Sequence, residues 1–148
     1  MSRPGGPVAR ECVEGYVYAA RPFRILVLRR PPARGRVWVP AGGKVELADA
    51  DLEAAVRREV LEETGLARPR KVYPLDWHVP FRTPDGARWR LHAYALEVDR
   101  PFAPTLSPEH DAFSWLTAED ATGLLHFADN RQAVRRLAAL RASPPGSS

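Results

Sequence analysis

Gly42-Gly43-Lys44-Val45-Glu46, a short loop, and then Asp51-Leu-Glu-Ala-Ala-Val-Arg57-Arg58-Glu59-Val60-Leu61-Glu62-Glu63-Thr64-Gly65-Leu66 form the stretch on which the fold turns. The apolar spacing predicts a helix over about residues 51–64, capped by Asp49 or Asp51 and closed by Gly65 at the C′ position. On a helical wheel Glu62 falls about 60° to one side of Glu59 and Glu63 about 40° to the other, so the three share a face. Leu52 and Val56 fall about 20° and 60° from Glu59, and Ala55 about 40° on the far side. Charged helix faces ordinarily look to solvent, yet these carboxylates continue the apolar stripe. They also sit near the helix C-terminus, where the macrodipole disfavours anions. Uncompensated, turning them inward costs on the order of several kcal/mol. A divalent cation compensates, and an oxygen-only ligand set favours Mg²⁺ or Mn²⁺. Arg58 can pair with Glu62 or orient a neighbouring carboxylate. Upstream, Gly42-Gly43 reads as a tight turn whose glycines let backbone atoms approach a metal or phosphate closely. Lys44 is placed beside it to meet a phosphate.

Working outward, strands are expected at Cys12–Ala20, where apolar residues alternate with polar or aromatic ones, and at Phe23–Arg29, whose continuous apolar centre suggests burial on both faces. Arg30-Pro-Pro-Ala-Arg-Gly35 breaks the second strand, and Val37-Trp-Val39 forms a short one. Val72–Phe81 and Ala87–Val98 read as strands joined by the turn Arg82-Thr-Pro-Asp-Gly86, and Phe113–Leu116 as another short strand. Thr117-Ala-Glu-Asp120 opens a helix, and Asp129–Arg141 is a final one. Strands and helices mix without a regular βαβ repeat. This predicts an α/β (α+β) fold, layered as an α/β/α sandwich around a mixed sheet. One domain over residues 1–148 is expected, with frayed ends at about 1–10 and 142–148.

The 148 residues, 45% hydrophobic and 27% charged, match a globular chain and exclude a disordered one. No apolar run reaches the roughly 20 residues that span a bilayer. No secretory signal is visible, and Cys12 is the only cysteine, which excludes an intrachain disulfide and a cysteine-based zinc site. The expectation is a soluble cytoplasmic protein with no membrane partner. The net charge of +4 rests almost wholly on arginine, since Lys44 and Lys71 are the only lysines. Arginine's fork suits phosphate oxygens. The basic residues are scattered rather than clustered, which speaks against nucleic acid as the partner.

Taken together, these residues resemble the signature of the Nudix hydrolase family. That signature is Gly, five residues, Glu, seven residues, Arg-Glu, an aliphatic residue, any residue, Glu-Glu, any residue, Gly and an aliphatic residue. Gly43 stands as the first glycine, and Arg58 to Leu66 fits the second half without a mismatch. Asp49 stands where Glu is expected, and eight residues rather than seven separate it from Arg58. The resemblance implies an α/β/α sandwich that hydrolyses a P–O–P bridge in a nucleoside diphosphate linked to another group. It implies Glu59, Glu62 and Glu63 as ligands of Mg²⁺ or Mn²⁺, Arg58 as the residue that orients a carboxylate, and a backbone carbonyl near Gly43. Glu62 or Glu63 would belong to the water-activating cluster.

Glu109-His110-Asp-Ala-Phe113-Ser-Trp115-Leu116 resembles a stretch of two Nudix groups, the asymmetrical dinucleoside tetraphosphate hydrolases and the dihydroneopterin triphosphate (and dATP) pyrophosphatases. It implies Glu109 as a further ligand or base. Asn130-Arg-Gln-Ala133 resembles the last helix of the second group and tilts the expected substrate towards a nucleoside or pterin triphosphate, cut to a monophosphate and pyrophosphate. The alternatives are a dinucleoside polyphosphate and a non-catalytic nucleotide sensor. Arg29 and Arg30, at a strand end, are expected to reach phosphates. Trp38, Trp77, Phe81 and Phe127 are candidates to stack a ring, while Trp115, Leu116, His78, His92 and His126 are read as structural. Cys12 reads as an inert buried thiol. A homodimer is left open.

Overall fold

A computed structural model describes residues 10–142, apart from the side chains of residues 76–78. Trp77 and His78, expected above as a stacking candidate and a structural histidine, therefore lie outside what is described. Seven strands and three helices follow in the order β1 (Arg10–Ala20), β2 (Phe23–Arg29), β3 (Trp38–Val39), β4 (Ala41–Lys44), α1 (Leu52–Thr64), β5 (Lys71–Arg82), β6 (Arg88–Val98), β7 (Ala112–Leu116), α2 (Ala118–Leu124) and α3 (Ala128–Ala142).

β1 is the hub of one mixed sheet. One edge pairs parallel with β6 from Arg10 opposite Trp89 to Ala19 opposite Val98. On its other edge the first half pairs antiparallel with β4 and the second half with β2. β2 also pairs with β3 and β7, and β5 pairs with β6 as a hairpin. Side chains alternate across the sheet, and both faces are covered. Val13, Val17, Leu26, Leu28 and Leu96 pack with Val56 and Val60 of α1. Tyr16, Tyr18, Ile25, Val27 and Ala93 pack with Val134 and Leu137 of α3 and Ala121 of α2. The layers are therefore helix, sheet, helix, as expected, and β2 is buried on both faces as its apolar centre implied. Among the described residues no helix is long and apolar enough to cross a membrane.

α1 begins and ends on local signals. The Asp51 carboxylate accepts the Ala54 N–H at 2.8 Å, which makes Asp51 rather than Asp49 the cap. Gly65, at φ 79°, closes the helix by donating its N–H to the Leu61 carbonyl. Similarly, Thr117 caps α2 by accepting the Asp120 N–H. The turn expected at Gly42-Gly43 is instead the middle of β4, with Gly43 opposite Val13 and Gly42 opposite Glu14. These glycines serve close approach rather than a change of chain direction. A Cβ on Gly42 would lie 2.4 Å from the Val13 carbonyl oxygen.

Candidate active site

Arg58 organises the acidic end of α1. Its Nε and one Nη donate to the two oxygens of Asp49, each at 2.9 Å. The same Nη donates to the Lys44 carbonyl at 3.0 Å, and the other donates to Glu59 at 3.1 Å and Glu62 at 3.3 Å. The planar fork is thus fully engaged. Asp49 also accepts the Glu46 N–H at 2.8 Å, and its side chain is only 5% exposed. The Arg58 guanidinium, and then that N–H, hold its carboxyl down at about 2. The shorter acid and the longer preceding loop are therefore reconciled: the loop brings Asp49 to a bidentate grip on Arg58.

Glu59 and Glu63 are buried against β4, whereas Glu62 is exposed. The wheel explains the split. The buried stripe centres between Val56 and Val60, and Glu62 falls about 140° from that centre, so the expectation that all three carboxylates point inward is corrected for Glu62. A Cβ on Gly43 would meet a Glu59 carboxylate oxygen at 2.4 Å, so only glycine lets this carboxylate lie on the strand. Glu63 accepts the Gly42 N–H at 3.2 Å through Oε1, while its buried Oε2 has no hydrogen-bond partner. Burial first, and then the neighbouring Glu59, push the Glu63 carboxyl well above the ordinary carboxylate range. The His110 Nδ1, also buried and without a hydrogen bond, lies 3.8 Å from Glu63. Burial, together with Arg30 and Arg34, lowers the His110 ring to about 4 and keeps it neutral.

Among the described residues no three acidic or imidazole side chains close on one point as a finished metal centre. Half of one is built: two adjacent buried carboxylates, an orphaned oxygen between them, and a strand cleared of side chains. That fits a hard cation that keeps most of its water and takes few carboxylates.

The cluster opens on a cleft of about 530 Å³. Lys44, Arg30, Arg34, Glu59, Glu62 and Glu109 line it. Glu109 is exposed and pairs with Arg34 at 3.7 Å. Arg30 is half-buried and makes no ion pair among the described residues; its guanidinium lies over the Phe127 ring at 5.7 Å. The Lys44 ammonium lies over Trp89 at 5.4 Å. Arg29 is engaged elsewhere, pairing with Asp111 at 2.9 Å and lying over Trp38, and it does not line the cleft. Of the aromatic candidates, Phe81 and Phe127 border the cleft, each 40% exposed. Trp38 packs against the core, and Trp115 donates its indole N–H to the Phe102 carbonyl at 2.7 Å. His92 meets Glu11, and His126 packs edge-on to Phe127. Cys12 lines the cleft as a half-buried thiol, which burial, then Glu14, pushes up to about 11.

Arg34 and Glu14 line the cleft and escaped the sequence reading. The Glu14 carboxylate accepts the Tyr16 hydroxyl at 2.7 Å and the Asn130 amide at 3.0 Å, and it lines the cleft. Its signal in the sequence is a lone charge on the strand face that also carries Tyr16 and Tyr18.

Residues 13–137 match the family model of the NUDIX domain, and the chain belongs to the Nudix family. Among curated proteins it is 34% identical over 119 residues, 78% of its length, to an octanoyltransferase of Myxococcus xanthus, of which it spans only 32%. It is 26% identical over 121 residues to the asymmetrical bis(5'-nucleosyl)-tetraphosphatase of Caenorhabditis elegans, covering 81% of this chain and 85% of that one. The E. coli dihydroneopterin triphosphate pyrophosphohydrolase shares the fold, with a TM-score of 0.75 at 23% identity over 88% of this chain and 97% of that one.

Proposed function

We propose that the chain is a divalent-metal-dependent pyrophosphohydrolase that cuts a nucleoside or pterin triphosphate to a monophosphate and pyrophosphate. The observation that carries this reading is the joining, in one cleft, of an Arg58-ordered acidic cluster with the Arg30 guanidinium, which makes no ion pair among the described residues. Glu59 and Glu63 would hold Mg²⁺ or Mn²⁺, with Glu62 and Glu109 reaching in from the rim and a carbonyl near Gly43 completing the set. When bound, the ion neutralises phosphate charge and lowers the pKa of its water. Arg30, Arg34 and Lys44 bind the polyphosphate oxygens and balance their charge. Glu62 or Glu63 accepts the proton of the attacking water, and Arg58 keeps the carboxylates aimed. Phe81 and Phe127 hold the ring.

The test is turnover with product analysis. Chelation should abolish activity, and Glu62→Gln should lower turnover by about 100-fold or more while leaving the fold intact. Near-wild-type rates in that variant would remove the acidic cluster from the chemistry. A dinucleoside polyphosphate is the second reading, favoured by the similarity to the C. elegans tetraphosphatase over most of both chains. Diadenosine tetraphosphate cut to ATP and AMP, with triphosphates untouched, would select it. A protein that binds these nucleotides with Mg²⁺ present and releases neither pyrophosphate nor phosphate would be a sensor instead.

A further inference from the structure

The site leaves one group unused. Glu14 lies on the sheet face opposite the acidic helix, because Val13 and Gly43, its neighbours in register, face α1. On this other face Glu14 pairs with Ala93 of β6 and Cys12 with Leu91, while Phe81 of β5 pairs with Trp89 and stacks on its ring at 6.2 Å. Phe127 closes the cleft from the corner before α3. Two donors grip the carboxylate, the Tyr16 hydroxyl on Oε1 and the Asn130 Nδ2 on Oε2. Asn130 in turn is held by the same hydroxyl, at 3.1 Å. A carboxylate has about four acceptor directions, so each oxygen keeps acceptor capacity beyond these two donors, and Glu14 lines the same cleft as Phe81 and Phe127. Burial raises this carboxyl to about 7, and the two donors fix it in place, which gives it the form of a reading group rather than a solvated one.

We propose that Glu14 selects the substrate by accepting two parallel N–H donors from the edge of the ring seated between Phe81 and Phe127. The matching edge carries a lactam N–H beside an amino group, as in guanine or a pterin. Adenine offers one N–H donor beside a ring-nitrogen lone pair, which would face the second oxygen and be repelled. This inference rests on the triphosphate reading above and names the ring that such a substrate carries.

Equilibrium binding of the α,β-methylene analogues of GTP and ATP tests it apart from turnover. The wild-type protein should bind the guanine analogue at least about tenfold more tightly, since unmatched polar edges are rejected strongly. Glu14→Gln replaces two acceptors by an acceptor and a donor, the complement of adenine. Asn130 can follow by turning its amide, because its Oδ1 has no partner. The preference should then fall below about threefold or reverse. Glu14→Ala, checked for folding by its thermal melt, should bind both analogues alike. Guanosine and dihydroneopterin, used as competitors, tell the two ring sources apart; the stronger competitor names the source. Wild type that prefers adenine or shows no preference would overturn the proposal, as would Glu14→Gln with an unchanged ratio. Absence of pyrophosphate release from every triphosphate would instead overturn the reaction while leaving the binding ratio to judge Glu14.

Discussion

At the scale of single residues, Arg58 and Asp49 show how a departure from a family pattern is absorbed. Asp49 is one methylene shorter than the Glu the pattern expects, and the extra loop residue carries its carboxylate to the guanidinium. The pair is nearly dry on the Asp49 side, so an Asn there, with one acceptor oxygen and an NH2 in place of the other, leaves one Arg58 N–H facing a donor and the guanidinium without its counter-charge. Asp49→Asn should lower the melting temperature by roughly 5 °C, as charge-assisted hydrogen bonds are lost. Because Arg58 also aims Glu59 and Glu62, turnover should fall by about tenfold or more. Unchanged melting together with unchanged turnover would reduce the pair to decoration. The bidentate partnership itself was not legible in the sequence. Nine positions and a loop of unknown path separate the two residues, and a carboxylate that could cap a helix looks the same as one that could hold an arginine.

At the scale of elements, two glycines set how closely α1 rides on the sheet, and they make opposite predictions. A Cβ on Gly15 would lie 2.6 Å from the Val60 Cγ2 and 3.0 Å from the Leu96 Cδ1, inside a packed core. Gly15→Ala should therefore destabilise by about 1–3 kcal/mol through overpacking, read as a lower denaturant midpoint, with turnover retained at temperatures where the variant is folded. The three atoms nearest a Cβ on Gly43 all belong to the Glu59 carboxylate, the movable end of a side chain. Gly43→Ala should melt within a few degrees of wild type, yet lose about tenfold or more in turnover as Glu59 is pushed off the strand. A Gly43→Ala protein with full activity would show that Glu59 need not lie where it does. Helix α1 was legible because its signals are local: a cap, a periodic stripe and a terminal glycine within about four turns. β4 was not, because its strand character comes from pairing with Cys12–Gly15, some thirty residues earlier, and a Gly-Gly pair carries no local trace of a partner. Glu14 was illegible for the same reason, since Asn130 lies 116 positions away.

At the scale of the whole molecule, the sheet separates two tasks. One face, under α1, gathers the Glu59 and Glu63 carboxylates, while Lys44, opposite Cys12 in register, stands on the other face over Trp89. The other face, under α3, offers Leu91, Phe81 and Phe127 beside Glu14, which suits a flat ring. Arg30 stands over the Phe127 ring and lines the same cleft as Glu14 and Glu109. On the proposed reading, binding of the ring is distinct from the reacting centre and should lower the energy of substrate and transition state alike. Replacing Phe127 by Ala removes one wall of the ring site, and base stacking on an aromatic is worth about 1–3 kcal/mol. With Phe127 40% exposed in the free protein, little core packing is lost. Phe127→Ala should therefore raise KM by about tenfold and change kcat by less than about threefold, the signature of lost uniform binding. The melting temperature should stay close to that of the wild type. Should kcat fall with KM unchanged, Phe127 would act on the reacting centre through Arg30, and the division of tasks between the two faces would not hold.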